Sequence, residues 1–246
     1  MATIAGAQSA FAAWQQAVAG ATGGKVFTTH GCTWVWHPAR GRLMLLFPHA
    51  PDPAGLRPGL AEGTRLGARE VSVWLNAGAD GSALGAFGFS DASPVLWHAG
   101  RLDNVGTPFA GQVRLEADVP EARGADAAEL RVAVAWRGGG RGNPDAPGRR
   151  RVEHATARGQ DGRPVGRGFA QETESGETAL HGLAVAASSR RQGAGRAIAT
   201  VLADEFSPDV VAGAPPGGAA FLTACGLQLI GRGRHLLLRG PTAPGR

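Results

Sequence analysis

The run Arg190-Arg191-Gln192-Gly193-Ala194-Gly195 offers the clearest chemistry in the chain. It follows TALHGLAV, residues 178–185, which reads as a strand. Behind it Ala194, Ile198, Val201, Leu202 and Glu205 recur at helical spacing. A strand, a short polar loop and a helix that begins on glycines make an anion site. The first N–H groups of a helix have no partner within it, and the helix dipole adds positive potential there. Glycines at 193 and 195 remove the Cβ atoms that would hold a phosphate away from the backbone. Arg190, Arg191 and Arg196 add full charges, so pyrophosphate is the natural ligand. Two nucleotide loops are excluded. A Walker loop needs Gly-Lys-Ser/Thr, which is missing here, and Ile198 stands where the dinucleotide fingerprint needs Gly or Ala.

Other reactive side chains read as structural. His30, Cys32 and His37 match no zinc spacing and fit strand packing. Trp14, Trp34, Trp36, Trp74, Trp97 and Trp136 fit core packing better than base stacking. Cys225 has no neighbouring base in the sequence to make it a nucleophile.

The elements that must hold the anion loop read as follows. Phe11, Trp14 and Val18 predict an amphipathic helix over residues 7–19. VFTTHGCTWVWHP and RLMLLFP read as strands, DPAGLRPGLAEGTRLGA as a helix despite its glycines, and REVSVWLN as a strand. SALGAFGF reads as a short helix and PVLWHAGRL as a strand. The Gly, Pro, Asn and Asp of residues 103–112 place a domain boundary there. VRLEADV is expected as a strand and DAAELRVAVAW as a helix entering from Asp126. Residues 137–150 are expected as a mobile loop, too poor in apolar groups to offset their ordering entropy. RVEHATAR, VGRGFAQET and TALHGLAV, joined by QDGRP and ESGE, read as an antiparallel meander.

Composition narrows the classes. Hydrophobic residues are 43% and charged residues 18%, enough for a core and too few charges for charge-driven disorder. The 39 glycines have no three-residue period, which excludes collagen. Lys25 is the sole lysine, and the net charge of +5 comes from scattered arginines rather than one basic stripe. The longest apolar run, Leu43 to Pro48, is far short of a membrane span. The N-terminus carries no signal-peptide pattern, and two cysteines 193 positions apart fit a reducing compartment, so a cytoplasmic protein is expected.

The Arg/Gln-x-x-Gly-x-Gly/Ala loop after a meander ending in LAV resembles the acetyl-CoA loop of GCN5-related N-acetyltransferases. RPVGRGFAQ, TALHGLAV and the segment to Glu205 resemble that family's second, third and fourth strands and central helix. AAFLTACGLQLIGRGRHLLLRG resembles its last helix, a helix-ending pair at Gly226-Leu227, and a closing hairpin. The resemblance covers residues 111–240. A fainter echo, with Gly88-Phe89 as the helix-ending pair, makes the first half resemble a degenerate copy without the anion loop; an unrelated α/β domain is the other reading. The fold implied is α/β (α+β), with two such domains at 1–105 and 111–246. Each would be a mixed, mostly antiparallel twisted sheet flanked by helices.

The resemblance implies an N-acetyltransferase whose co-substrate is acetyl-CoA, with no metal and no second cofactor in the first half. Pantetheine would lie between the fourth and fifth strands against Leu183, Ala184 and Val185. Pyrophosphate would rest on the loop and helix start: Arg190, Arg191, Gln192, Gly193, Ala194, Gly195, Arg196 and Ala197. Phe221 would border the cofactor. The amine would attack the thioester directly, with a base at the fourth strand. Glu177 is the first choice, provided partial burial raises its pKa toward neutrality. His181 is the alternative by its intrinsic pKa, and reads equally as a core histidine on one face with Ala179 and Leu183. Glu172 and Glu174 are turn carboxylates.

Two departures stand out. The chain has no Tyr; the family's usual acid position falls on Leu222, and its usual Asn after the fifth strand on Pro215. The acceptor is expected to be a small-molecule or peptide amine, the protein a monomer or homodimer, with no membrane or nucleic acid as partner. The competing classes are a non-catalytic acyl-CoA-binding module, from the missing Tyr and Asn, and a nucleic-acid-associated basic protein, from the charge and the arginines of 137–151.

Overall fold

The computed structural model describes residues 2–102, 108–116 and 152–238. The helix expected from Asp126 and the arginine-rich 137–150 segment lie outside the described residues, as does Trp136. The chain forms two compact units, and their division is not sequential. One unit is Met1–Trp14 with Trp97–Gly231, the other Gln15–Leu96 with Arg232–Arg246. The split expected at 103–112 therefore does not describe how the chain is shared.

In the unit built on residues 15–96, VFTTHGCTWVWHP is not one strand but a hairpin. β1 (Lys25–Thr29) and β2 (Cys32–His37) pair antiparallel, Thr29 opposite Cys32, around His30 and Gly31 at φ +40° and +76°. Two positive-φ residues match the twist of a two-residue hairpin loop. β3 (Arg42–Leu46) pairs antiparallel with β2, and β4 (Glu70–Asn76) runs parallel to β3. The crossover between them is α2 (Pro53–Arg65), which follows α1 (Ile4–Ala21) in the chain. Asp52 caps α2 by accepting the Gly55 N–H at 2.8 Å, with Pro53 at the first helical position. Its glycines have a packing reason. Gly55, Gly59 and Gly63 lie four apart on one face, and a Cβ on them would meet Cys32, Trp34 and Leu43 respectively. α3 (Ser82–Ala86) leads into β5 (Phe89–Arg101). Trp34, Trp36, Leu43, Leu45, Val73, Leu75 and Leu236 form the core.

In the other unit β6 (Gln112–Leu115), β7 (Val152–Arg158), β8 (Pro164–Glu172) and β9 (Thr178–Val185) form the expected antiparallel meander. Gly162 and Gly176 make its two turns at φ +77° and +84°. After β9 the chain crosses through α4 (Ala194–Asp204) to β10 (Asp209–Ala214), which lies parallel to β9. α5 (Pro216–Ala224) and β11 (Gln228–Leu238) complete it. α4 buries Ala194, Ile198, Ala199 and Leu202 on Ala155, Ala157, Ala170 and Leu180. Gly166 and Gly168 of β8 let it close: a Cβ there would sit 3.1 and 2.9 Å from Ile198. The first turns of α1 cover the opposite face, where Trp14 packs on Phe169, ring centroids 5.3 Å apart.

The closing hairpin expected after α5 is replaced by one uninterrupted strand, β11. Its last six residues pair antiparallel with β4, Leu238 opposite Val71. No described helix is long and apolar enough to cross a membrane.

Candidate functional site

β9 and β10 begin as neighbours and then part. Thr178, Ala179 and Leu180 pair with Val210, Val211 and Ala212, and the pairing stops there. β9 runs on to Val185 and β10 to Ala214. The cause lies on the other side of β9. Phe169 opposes His181 and Arg167 opposes Ala184, so Gly168 alone faces Gly182 and Leu183. This is a bulge, with Gly182 at φ +56°. A bulge sharpens the twist of its strand, which turns residues 182–185 away from β10. Backbone groups on the β10 side of Leu183, Ala184 and Val185 are left without a strand partner. Gly182, Ala184 and Gly213 are exposed along the opening.

The end of β9 leads directly into the anion loop. A single 3-10 turn, Ala187–Ser189, is followed by Arg191 at φ +62° and Gly193 at φ +85°. Gly193 is the N-cap of α4 and has no side chain to satisfy the helix. The first intrahelical bond runs from the Ala197 N–H to the Gly193 carbonyl at 3.0 Å. The N–H groups of Ala194 and Gly195 therefore have no acceptor within the helix. Arg190 donates from Nε to the Val185 carbonyl at 3.2 Å, and Gln192 donates from Nε2 to the Ser188 carbonyl at 3.1 Å. Both bonds brace the loop with exposed side chains.

Phe221 of α5 joins this assembly. A Cβ on Gly195 would lie 3.1 Å from the Phe221 ring and 3.5 Å from Val185. The structure thus brings Val185, Gly195 and Phe221 together, three residues singled out from the sequence. Leu183 is half-buried and packs on the core under α4. The Arg196 guanidinium of α4 reaches the buried Cys225 thiol, whose pKa is raised mainly by burial. Leu222, at the place of the family's acid, is buried in the core. Pro215 precedes α5 as its N-cap.

Glu177 lies at the paired end of β9 and β10, away from their opening. It immediately precedes Thr178, the first residue of β9, and is four residues, or about 13 Å of extended chain, before His181. Its Oε2 accepts the Thr173 and Ser175 hydroxyls at 2.5 and 2.6 Å. Burial pushes its pKa up, but the Ser175 and Thr173 hydroxyls pull it further down, so the carboxyl titrates below its usual range. That is the reverse of the rise toward neutrality expected of it. The mainstay of the β8–β9 turn is what Glu177 is.

His181 stands where the pairing of β9 and β10 ends. It stacks flat on Trp14, centroids 5.0 Å apart and planes 1° apart, and is 9% exposed. Its Nε2 is buried without a hydrogen-bond partner, so it is not a satisfied core histidine. Burial pulls its pKa down to about 3, leaving a neutral imidazole at physiological pH. Across the opening, Trp97 of β5 lies against Gly213 of β10, where a Cβ would be 2.6 Å from the indole. Phe11 of α1 meets Trp97 edge-on at 5.9 Å. The sequence reading missed that α1 and Trp97 pack behind His181 and Gly213. One signal was available: α1 carries no charged residue, so it cannot be an ordinary surface helix.

Cys32 and His37 lie on opposite faces of β2 by strand alternation. Among the described residues no group of three His, Cys, Asp or Glu side chains could hold a metal ion.

No protein-family model and no curated protein matches the sequence. Solved structures do match in fold. A GCN5-related N-acetyltransferase from Kribbella flavida is 23% identical, with 98% of each chain covered and a TM-score of 0.61. A functionally unknown conserved protein from Staphylococcus epidermidis is 14% identical, covering 89% of this chain and 96% of its own, at a TM-score of 0.57. The chain has the GCN5-related N-acetyltransferase fold, a mixed sheet flanked by helices.

Proposed function

We propose that this protein is an acetyl-CoA-dependent N-acetyltransferase acting on an amine of a small molecule or peptide. One observation carries the reading: the opening between β9 and β10 leads straight into an uncapped helix start surrounded by arginines. The residues present fit the co-substrate. The backbone of Leu183, Ala184 and Val185, which has no strand partner on its β10 side, would hold pantetheine. The loop from Arg190 and Arg191 through Gln192 to the first turn, Gly193 to Ala197, would hold pyrophosphate, with Phe221 packed over Gly195. Acetyl-CoA supplies an acetyl group activated as a thioester. The cytoplasm, where acetyl-CoA and free thiols coexist, suits a chain whose Cys32 and Cys225 are both free.

His181 is the proton acceptor in this proposal. The amine nitrogen bonds to the acetyl carbon, the carbon–sulfur bond breaks, and the proton passes from nitrogen to His181 Nε2. The thiolate leaves and takes its proton from water. CoA thiolate is a fair leaving group, so the missing Tyr need not stop turnover. The weak basicity of His181 is adequate because a nitrogen undergoing acylation is a stronger acid than free ammonium.

A second reading, a non-catalytic acyl-CoA-binding module, is favoured by one observation: the family's acid position is a buried leucine. Two measurements decide. Gly193→Asp should weaken CoA binding in calorimetry by more than about tenfold, roughly 1.4 kcal/mol, because it places a Cβ and a negative charge at the phosphates. Unchanged affinity would sink the site. His181→Ala should lower the release of CoA from acetyl-CoA by about 10²-fold or more with CoA affinity kept. Equal turnover in that variant would remove His181 from the mechanism, and no turnover in the native chain across an amine panel would establish the binding module.

A further inference from the structure

Resting on that reading, we infer that the acceptor amine carries a carboxylate close to its nitrogen, as a free amino acid does, and that Arg167 of β8 holds it. Strand pairing puts the residues concerned on one face of the sheet. Phe169 pairs with His181, and Arg167 with Ala184 beyond the bulge. Residues paired across two strands point to the same face, as do residues two apart on one strand. Arg167, Phe169, His181 and Ala184 therefore share the face on which Trp14 of α1 packs. Leu183 and Val185 belong to the α4 face. A Cβ on Gly168 would lie 2.9 Å from Leu183, and one on Gly166 would lie 3.2 Å from Val185, both beside Ile198. The open segment of β9 thus has two sides. One leads to the anion loop, and the other carries the Arg167–Ala184 row. That row is in reach of solvent, since Ala184 is exposed and Arg167 half-buried.

The guanidinium of Arg167 is held in place from below. Its central carbon lies 5.8 Å from the Phe169 ring centroid. Phe169 in turn is fixed by His154 at 4.7 Å and Trp14 at 5.3 Å between centroids. A guanidinium resting on a ring keeps its fork in one orientation, which suits two parallel hydrogen bonds to a planar carboxylate. The row is polar to its buried end as well. Thr156 of β7 pairs with Arg167 on this face, is 2% exposed, and its Oγ1 has no hydrogen-bond partner. A seat meant only for the aliphatic stem of an arginine would not bury an unmet hydroxyl beside it. The Arg167 row and the His181 row are about 7 Å apart along β8. A free amino acid fits across the two, its carboxylate at Arg167 and its nitrogen toward His181. One guanidinium matches the single charge of one carboxylate.

The test is a kinetic panel on the full chain with acetyl-CoA: the standard L-amino acids against their carboxamides, with CoA binding measured alongside by calorimetry. The best amino acid should exceed its own carboxamide in kcat/KM by about tenfold or more, because a site built to bind a charged group rejects the analogue without it. Arg167→Gln should raise KM for that amino acid by about tenfold or more with kcat little changed, and leave the carboxamide within about twofold. CoA affinity should hold. Arg167→Lys keeps the charge but not the fork and should fall between the two. An arginine that merely braces Phe169 would, when replaced, affect acid and carboxamide alike, and that result would overturn the inference. Carboxamides that match or exceed the acids in the native chain would overturn it without any variant. So would normal CoA binding with neither set acetylated. Failure of CoA to bind would instead overturn the reading beneath it.

Discussion

At the scale of single residues, two side chains four positions apart, one in the turn before β9 and one within it, do opposite things. Glu177 is a charged acceptor for two hydroxyls in a tight turn. His181 is a neutral ring with an unused nitrogen beside an opening. Glu177→Gln should therefore leave turnover within about twofold and cost stability. Hydrogen bonds to a charged group are worth about 1.5–3 kcal/mol net, and an amide carbonyl is the weaker acceptor. Denaturant unfolding of the variant checks the cost, and a CoA-release assay checks the rate; a large fall in rate with unchanged stability would reverse the assignment of roles. The sequence could propose both residues as bases because both lie at or within the strand that resembles the family's fourth. It could not separate them. Hydroxyl partners at 173 and 175 and an indole at 14 fix their pKa values, and only the fold reveals which side chains those are.

Elements were legible where local pattern determines them. The β7–β9 meander followed from alternation plus two Gly turns, and the α4 loop from glycines with arginines. What failed were glycines whose reason is packing. Gly231 in IGRG reads as a turn and suggested a hairpin, yet it is there because a Cβ would overlap Ile4 of α1. Gly182 looks like a weak point in a strand and instead bends it to open the site. The glycines of α2 should lower helix propensity, and do, but Gly59 lets the helix lie on the Trp34 indole. Alanine at two helical glycines should then have opposite signs. Gly59→Ala should destabilise by about 1–3 kcal/mol through overpacking. Gly20→Ala in α1, with nothing within 4 Å of the new Cβ, should be neutral or stabilise by up to about 1 kcal/mol from propensity. Unfolding midpoints in urea distinguish them, and equal effects would show that Trp34 simply yields.

At the scale of the whole molecule, each compact unit hides a histidine that must stay neutral. In one it is His181, with burial as the cause of its pKa near 3. In the other it is His37, 2% exposed, whose pKa burial and then Arg40 and Arg42 lower to about 4. Both ring nitrogens of His37 are buried without a hydrogen-bond partner. Each folded pKa lies below the unfolded value of about 6.5, so the unfolded chain binds the extra protons as pH falls. Their contribution to stability is complete above pH 6.5 and is lost on acidification, down to about pH 4 for His37 and about pH 3 for His181. Between pH 6.5 and 5 carboxylates scarcely titrate, which isolates the histidines. There each should contribute a slope approaching about 1.4 kcal/mol per pH unit. The unfolding temperature of the native chain should fall through this window, and His37→Gln should flatten the fall for the unit that contains it while leaving the His181 part intact. Calorimetric scans at half-unit steps from pH 7.5 to 5 make the comparison. Parallel profiles for the variant and the native chain would mean that His37 binds its proton in the folded state as readily as in the unfolded one, through a counter-charge or water that its buried, arginine-flanked position argues against.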